Sequence, residues 1–252
     1  MQTDWDKSAG AWIRSIKSES DYARFAVLDY PMIETVRQSG AKTALDVGCG
    51  EGRFCRMMAE HVPEVTGLDP TEALLEEARA FGHARYVKGV AEQLPFADQS
   101  FDFVVSDLSL IDIPDIKAAY GEFTRVLRSG GTLLIANLNS WITAAQTDGL
   151  GIVANAEGHG TMTIVNYLSE YAIKAEWAGV SVKNWHRPLA TYMQLALENG
   201  FCASRILRNL RAIPLGQRQG VIITRLICCF RFGKSLDLVQ VPYQGTVQMR
   251  RG

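Results

Sequence analysis

Glycine stands at every second position in Gly48, Gly50 and Gly52, between an apolar run and a helix-prone run. The first run, Thr43 to Val47, is β-branched and reads as a short buried strand. The second, Arg53 to His61, reads as a helix. A strand, a glycine loop and a helix in that order make a ligand cradle. Glycine permits positive φ and removes the Cβ that would hold a ligand away, and a helix start offers unpaired N–H groups. Asp46 precedes the loop and is expected to fix it through backbone N–H bonds rather than to touch a ligand. Further on, Val65-Thr66-Gly67-Leu68-Asp69-Pro70 reads as a second strand ending in a carboxylate. A carboxylate at that tip can accept both hydroxyls of a ribose. The chemistry offered is recognition of a nucleoside.

Two nucleotide sites are disfavoured by spacing. A dinucleotide fold wants G-x-G-x-x-G/A, and here Arg53 fills the third place. No G-x-x-x-x-G-K-[ST] occurs, which argues against a P-loop. The stretches LDVGCGEGRF (Leu45 to Phe54) and LPFADQSFDFV (Leu94 to Val104) instead resemble the class I S-adenosylmethionine-dependent methyltransferases, in particular their small-molecule branch. The resemblance covers roughly residues 40 to 137 and fades toward both ends.

That resemblance implies S-adenosylmethionine as cofactor. It implies that Gly48, Cys49 and Gly50 form the loop against it, with Cys49 a small packing residue, that Asp69 takes the ribose, and that Leu68, Pro70 and Leu94 flank the adenine. Ala91 and Glu92 fall where the family places adenine contacts. Many relatives carry an acidic residue at Ala91, so this chain departs there. Asp107 and Leu108 follow strand four, facing cofactor or substrate or capping the next turn. An N-terminal segment lids the active site in this family. Arg24 is the expected contact for the methionine carboxylate, because a guanidinium is a planar permanent cation, and Tyr22 lies beside it. The [DN]-P-P-[YF] motif of some N-methyltransferases is absent after strand four. That argues against methylation of adenine N6 or glutamine.

The elements that must position these residues alternate clearly from residue 42. Strands are expected at 43–47, 64–69, 85–88, 101–106 and 132–136. Helices are expected at about 52–61, after Thr71, and at about 115–127, the last ended by Ser129-Gly130-Gly131. Cys202 to Asn209 and Gly220 to Phe232 supply two more strands. The whole predicts an α/β fold with a doubly wound, mostly parallel seven-stranded sheet, Rossmann-like. Ligands of such sheets sit beyond the carboxyl ends of the strands, where Gly48, Asp69, Ala91 and Asp107 fall. Residues 1–39 read as a helical cover broken at Pro31, with Trp5, Trp12, Ile13 and Ile16 in one stripe. Residues 40–137 form the cofactor-binding core, 138–186 a substrate-lid insertion, and 187–252 the end of the sheet and a tail.

The insertion carries the aromatic residues. Ala172 to Trp177 and Val180 to Trp185 alternate around Ala178-Gly179 as a hairpin does. Trp141, Tyr167, Trp177 and Trp185, with Trp12 and Tyr22 from the cover, are the substrate-side candidates. They line a pocket for a flat or apolar acceptor, or they form the insertion's own small core. His186 and His159 are the histidines near that side. Each is a candidate proton acceptor, since imidazole titrates near neutrality. Each is otherwise structural.

Composition narrows the class. Apolar residues at 47% and charged residues at 21% fit a globular enzyme. A net charge of −1 provides no global basic field for nucleic acid. The five cysteines are odd in number and lack metal spacing, which reads as reduced thiols in the cytoplasm. No apolar run is long enough to span a bilayer. The expected activity is methyl transfer to an O, N, S or C atom of a small molecule. Methylation of protein or RNA is the alternative, and a cofactor-binding partner module without turnover is a third.

Overall fold

The computed structural model of the chain describes residues 3–17, 24–145, 153–154, 160–161, 164, 166–211 and 223–233. Helix α1 (Asp4–Lys17) is followed by a π-helical turn (Arg24–Asp29) and α2 (Tyr30–Ser39). The core then runs β1 (Thr43–Val47), α3 (Arg53–Ala59), β2 (Glu64–Asp69), α4 (Glu72–Phe81), β3 (Arg85–Lys88), β4 (Phe101–Asp107), α5 (Ile116–Val126) and β5 (Leu127–Leu138). After it come α6 (Ser140–Ala145), the two-residue strands β6 (Val153–Ala154) and β7 (Gly160–Thr161), and the hairpin β8 (Tyr171–Trp177) and β9 (Val180–His186). Helix α7 (Leu189–Glu198), β10 (Phe201–Arg211) and β11 (Ile223–Phe232) complete the order.

The seven-stranded sheet has the order β10-β11-β5-β4-β1-β2-β3. Pairs among β1 to β5 are parallel, and β11 is antiparallel to both of its neighbours. The central strands are apolar on both faces because helices cover both. One face packs Leu45, Val104 and Ile135 with Tyr120 and Phe123 of α5. The other packs Ala44, Phe103 and Leu134 with Met32, Val36 and Met58. The chain reverses direction in strand order at β1 and β4, which opens a crevice above their carboxyl ends.

Two local expectations change. Pro31 does not break the N-terminal helix. It sits in the first turn of α2, where its missing N–H has no helical partner to lose. The π-helical turn (Arg24–Asp29) before it runs directly into α2. Ser129-Gly130-Gly131 does not end α5. The helix stops at Val126, and the glycines lie within β5, with Gly130 at φ +80° and a register shift opposite Phe101 and Phe103. A bulge absorbs the extra residues that a turn was expected to hold.

The N-terminal cover and the hairpin form one body rather than two lids. Ala9, Ala11 and Trp12 of α1 pack with Val180 and Val182 of β9 and Leu74 of α4. Ser8 Oγ donates to the Ser181 carbonyl at 3.0 Å and accepts from the Ser181 amide at 3.1 Å. The hairpin is tied down from below as well, since the Trp185 amide donates to the Ile111 carbonyl at 2.6 Å. No helix among the described residues is long and apolar enough to cross a membrane.

Candidate functional site

A cavity of about 740 Å³ opens above the carboxyl ends of β1, β2 and β4. Its floor is the glycine loop. Gly48 takes φ +77°, and its amide donates to the Leu68 carbonyl at 2.7 Å. A Cβ at Gly48 would stand 2.4 Å from Ser109 Cβ, so the loop closes onto the turn after β4 only because that atom is absent. Ser109 fixes the contact by donating to the Val47 carbonyl at 2.6 Å. Gly50, at φ +56°, faces open space on the cavity side, where its nearest neighbour beyond a built Cβ is Trp12 Nε1 at 3.8 Å.

Asp69 ends β2 on the cavity wall. Its two carboxylate oxygens accept from the Gly50 amide at 2.9 Å and the Thr71 amide at 2.8 Å. Burial raises its pKa, and those two backbone bonds pull against the rise. Glu51, just past Gly50, was not singled out by sequence reasoning. It is 5% exposed and lines the cavity. One oxygen accepts from Trp12 Nε1 at 2.9 Å, and the other, Oε1, has no partner among the described residues. The signal available was an acidic residue inside the glycine loop itself.

The cavity lining brings together Trp12, Arg24, Gly48, Cys49, Gly50, Asp69, Pro70, Ala91, Glu92, Asp107, Leu108, Trp177 and Trp185. Arg24 lies with its guanidinium 5.4 Å from the Trp12 ring centre and 3.6 Å from an Asp107 oxygen. Leu108 sits at φ +59°, an uncommon conformation for a side-chain-bearing residue, held by its amide bond to the Ala136 carbonyl at 2.9 Å. Asp46 lies beneath the loop at 1% exposure, off the cavity. Burial first, and then Asp107 nearby, pushes its pKa up to about 8. It accepts from Cys55 Sγ at 3.4 Å. Cys49 is buried and lines the floor.

The far end of the cavity is aromatic. Trp5 of α1 stacks edge-on with Trp12 at 5.8 Å and with Trp177 of β8 at 6.3 Å. Trp5 had been placed in the helical stripe and not at a site, but it lines the cavity. Asp112, Lys183 and Asn184 also line this end and were missed. Asp112 accepts a side-chain hydrogen bond from Asn184, and burial pushes its pKa up to about 7 against the pull of Trp5 and Asn184 toward the charged form. Nothing local in the sequence joins Asp112 to Asn184. The loop after β4 and the hairpin must first be folded together.

Three expected site residues lie elsewhere. His186 is fully buried, with Nε2 facing the Tyr167 carbonyl at 2.9 Å and Nδ1 facing Thr143 Oγ1 at 2.7 Å. A carbonyl can only accept, so Nε2 carries a proton, and Nδ1 pairs with the Thr143 hydroxyl, which also lies 3.1 Å from the Ser140 carbonyl. Both nitrogens are spent on structure, and the residue does not line the cavity. Tyr167 stacks on that imidazole at 5.8 Å and on Trp141 at 5.7 Å. With Tyr171 they form an aromatic cluster around the buried His186, away from the cavity lining, with Trp141 on its exposed side. His159 and Tyr22 lie outside the described residues.

Comparison with known proteins agrees with this geometry. Residues 45–135 match the family model for a methyltransferase domain. The chain is 39% identical over 99 residues to the demethylmenaquinone methyltransferase of Geobacillus kaustophilus, covering 36% of this chain and 42% of that one. It is 27% identical over 210 residues to the malonyl-[acyl-carrier protein] O-methyltransferase of Erwinia pyrifoliae, covering 77% and 79%. Three of the most similar curated relatives are spanned over less than half of their length. A crystal structure of an S-adenosylmethionine-dependent methyltransferase from Mesorhizobium loti superposes with a TM-score of 0.68 at 26% identity, over 80% of this chain and 96% of that one. By its domain match over residues 45–135 and by its fold, the chain is similar to the S-adenosylmethionine-dependent methyltransferases.

Proposed function

We propose that this chain transfers a methyl group from S-adenosylmethionine to a small molecule held at the aromatic end of the cavity. The observation that carries the reading is the continuity of one cavity, from the glycine loop and Asp69 to the tryptophans of α1 and the hairpin. Its volume of about 740 Å³ lies in the range of sites that enclose a small ligand. The names of relatives that act on demethylmenaquinone and malonyl groups support a small acceptor.

The residues fit the cofactor. Asp69 suits a ribose diol. Ala91, Pro70 and Leu68 give an adenine apolar flanks, with Glu92 as a polar neighbour. The unpartnered Oε1 of Glu51 suits an ammonium group, and Arg24 suits a carboxylate, so the two ends of an amino-acid tail find opposite charges. Bound S-adenosylmethionine supplies an activated methyl group on a sulfonium. The chain supplies alignment and exclusion of water. Trp12 closes the N-terminal helix over the loop, and β9 closes the opposite wall. His186 is not available as a base, so proton removal falls to another residue or to none.

The test is incubation with methyl-labelled S-adenosylmethionine and a cell extract separated into metabolites, protein and RNA. Label in the metabolite fraction supports the reading. Label confined to protein or RNA overturns it, and binding without label transfer in any fraction favours a partner module.

A further inference from the structure

The acceptor end holds one carboxylate that the methyl-transfer reading leaves without a task. Asp112 is on the loop after β4, partly buried and lining the cavity. Its side chain is fixed from both sides of the cavity. Asn184 of β9 donates to Oδ1, and the indole of Trp5 of α1 lies close enough to favour its charged form. The alternation of β9 turns Val182 and Asn184 inward and leaves Lys183 exposed. Asn184 is 4% exposed, so its amide is committed to this contact. Three elements therefore converge to hold a single carboxylate in a wall of indole rings.

We propose that Asp112 binds the methyl acceptor directly, and that the acceptor is a small amine, with an apolar or aromatic body, that enters as an ammonium ion. This rests on the methyl-transfer reading above. A carboxylate accepts hydrogen bonds and attracts cations, and it repels an acid. The indoles of Trp5, Trp177 and Trp185 offer faces to a cation and to a flat body. Their capacity for this is visible elsewhere in the molecule, where the guanidinium of Arg24 lies over Trp12 and that of Arg187 lies 5.0 Å from the Trp185 ring centre. Asp4 lines the same end, and the cations of the cavity among the described residues are the exposed Lys183 and Arg24, which lies over Trp12 beside Asp107.

The proton balance follows. An ammonium nitrogen has no lone pair, so one N–H proton must leave before attack. It passes to an Asp112 oxygen, leaving a neutral amine and a carboxylic acid. The nitrogen lone pair then forms the new N–C bond, and the pair of the broken C–S bond stays on sulfur. The product leaves as a methylammonium ion, and Asp112 returns its proton to solvent. Burial, which pushes the Asp112 pKa up to about 7, makes it a better proton acceptor than an exposed aspartate.

Calorimetry on the full chain separates this proposal from the reading beneath it. S-adenosylhomocysteine is titrated first into wild type and Asp112→Asn. Equal binding to both shows that the cofactor end is intact and the variant folded, and absence of binding to wild type removes the methyltransferase reading itself. Tryptamine, indole-3-ethanol and indole-3-acetate are then titrated into the protein saturated with S-adenosylhomocysteine. These share one ring and differ in the charge of the head group. The expected result is tightest binding of tryptamine, weakened at least about tenfold by Asp112→Asn, as for loss of a charge-assisted hydrogen bond. Asn184→Ala keeps the charge, and tryptamine is expected to bind it more tightly than it binds Asp112→Asn. Preference for the acid or the alcohol, no tryptamine binding at millimolar concentration, or indifference to Asp112→Asn overturns the proposal.

Discussion

Trp12 Nε1 donates to Glu51 Oε2 at 2.9 Å, joining the first helix to the glycine loop. The bond is buried, and the residues are far apart in sequence. It makes closure of the N-terminal cover and formation of the loop one event. Trp12→Phe keeps the ring but removes the donor, leaving a second Glu51 oxygen without a partner. The cost of such an unpaired buried group is about 1–3 kcal/mol. S-adenosylhomocysteine affinity is expected to fall by about tenfold in calorimetry. Unchanged affinity would show that the helix contributes nothing to cofactor binding.

Asp69 holds the loop and faces the cavity at once, through the Gly50 and Thr71 amides. Asp69→Asn keeps the volume and one acceptor oxygen but removes the charge. The nucleoside part of the ligand is expected to lose about tenfold to a hundredfold in affinity, the range for a charge-assisted bond. Adenosine and S-adenosylhomocysteine should weaken together, because both carry the ribose. If adenosine alone is unaffected, the ribose is held elsewhere.

Gly48 is a test of the fold rather than of binding. Alanine there would carry a Cβ 2.4 Å from that of Ser109 at a φ of +77°. Gly48→Ala is expected to destabilise by about 2 kcal/mol or more, from overpacking and backbone strain together. A melting temperature equal to wild type would mean that the turn after β4 moves freely.

His186 is expected to matter for stability and not for chemistry. His186→Ala removes the partner of the Tyr167 carbonyl and one of the two partners of the Thr143 hydroxyl, and opens a cavity where the buried imidazole stood. A loss of about 2–4 kcal/mol is expected by denaturant titration. The pH profile of methyl transfer should keep its shape. A shifted profile at normal stability would restore the histidine as a proton acceptor.

Asp46 sets a pH dependence of stability. Its folded pKa is raised from 3.8 to about 8. Between those values the folded chain holds a proton that the unfolded chain has lost. Its contribution to stability is thus fully present below the unfolded value and is lost as pH rises through the folded one. Asp112, raised to about 7, acts in the same direction. The melting temperature is expected to decline between about pH 4 and about pH 8, and Asp46→Asn should flatten that decline. A decline of the same slope in the variant would place the titration on other groups.

Much of the fold was legible because it is written in local patterns. The β1 run, the alternating glycines and Asp69 are adjacent in sequence, and each states a backbone need that a neighbour supplies. The hairpin showed in its alternation, and its observed strands extend the expected ones by one residue at each outer end. The acceptor side was less legible. Trp141, Tyr167 and His186 have the residue types of a binding site, yet Tyr167 and His186 satisfy one another away from the cavity, and Trp141 lies against Tyr167 at the surface. Asp112 looked like an ordinary loop aspartate. Its setting depends on Trp5 and Asn184, which reach it only after α1 and β9 have docked. Residue type alone does not say whether a polar side chain faces a cavity or a core. Partners distant in sequence decide that.

The most direct test of the central claim is calorimetric titration of the full chain with S-adenosylhomocysteine and with NAD. Micromolar binding of the first, at one site per chain, and no measurable binding of the second are expected. Absence of S-adenosylhomocysteine binding, or NAD binding of equal strength, would contradict the assignment of the glycine loop and Asp69 to the methyl donor.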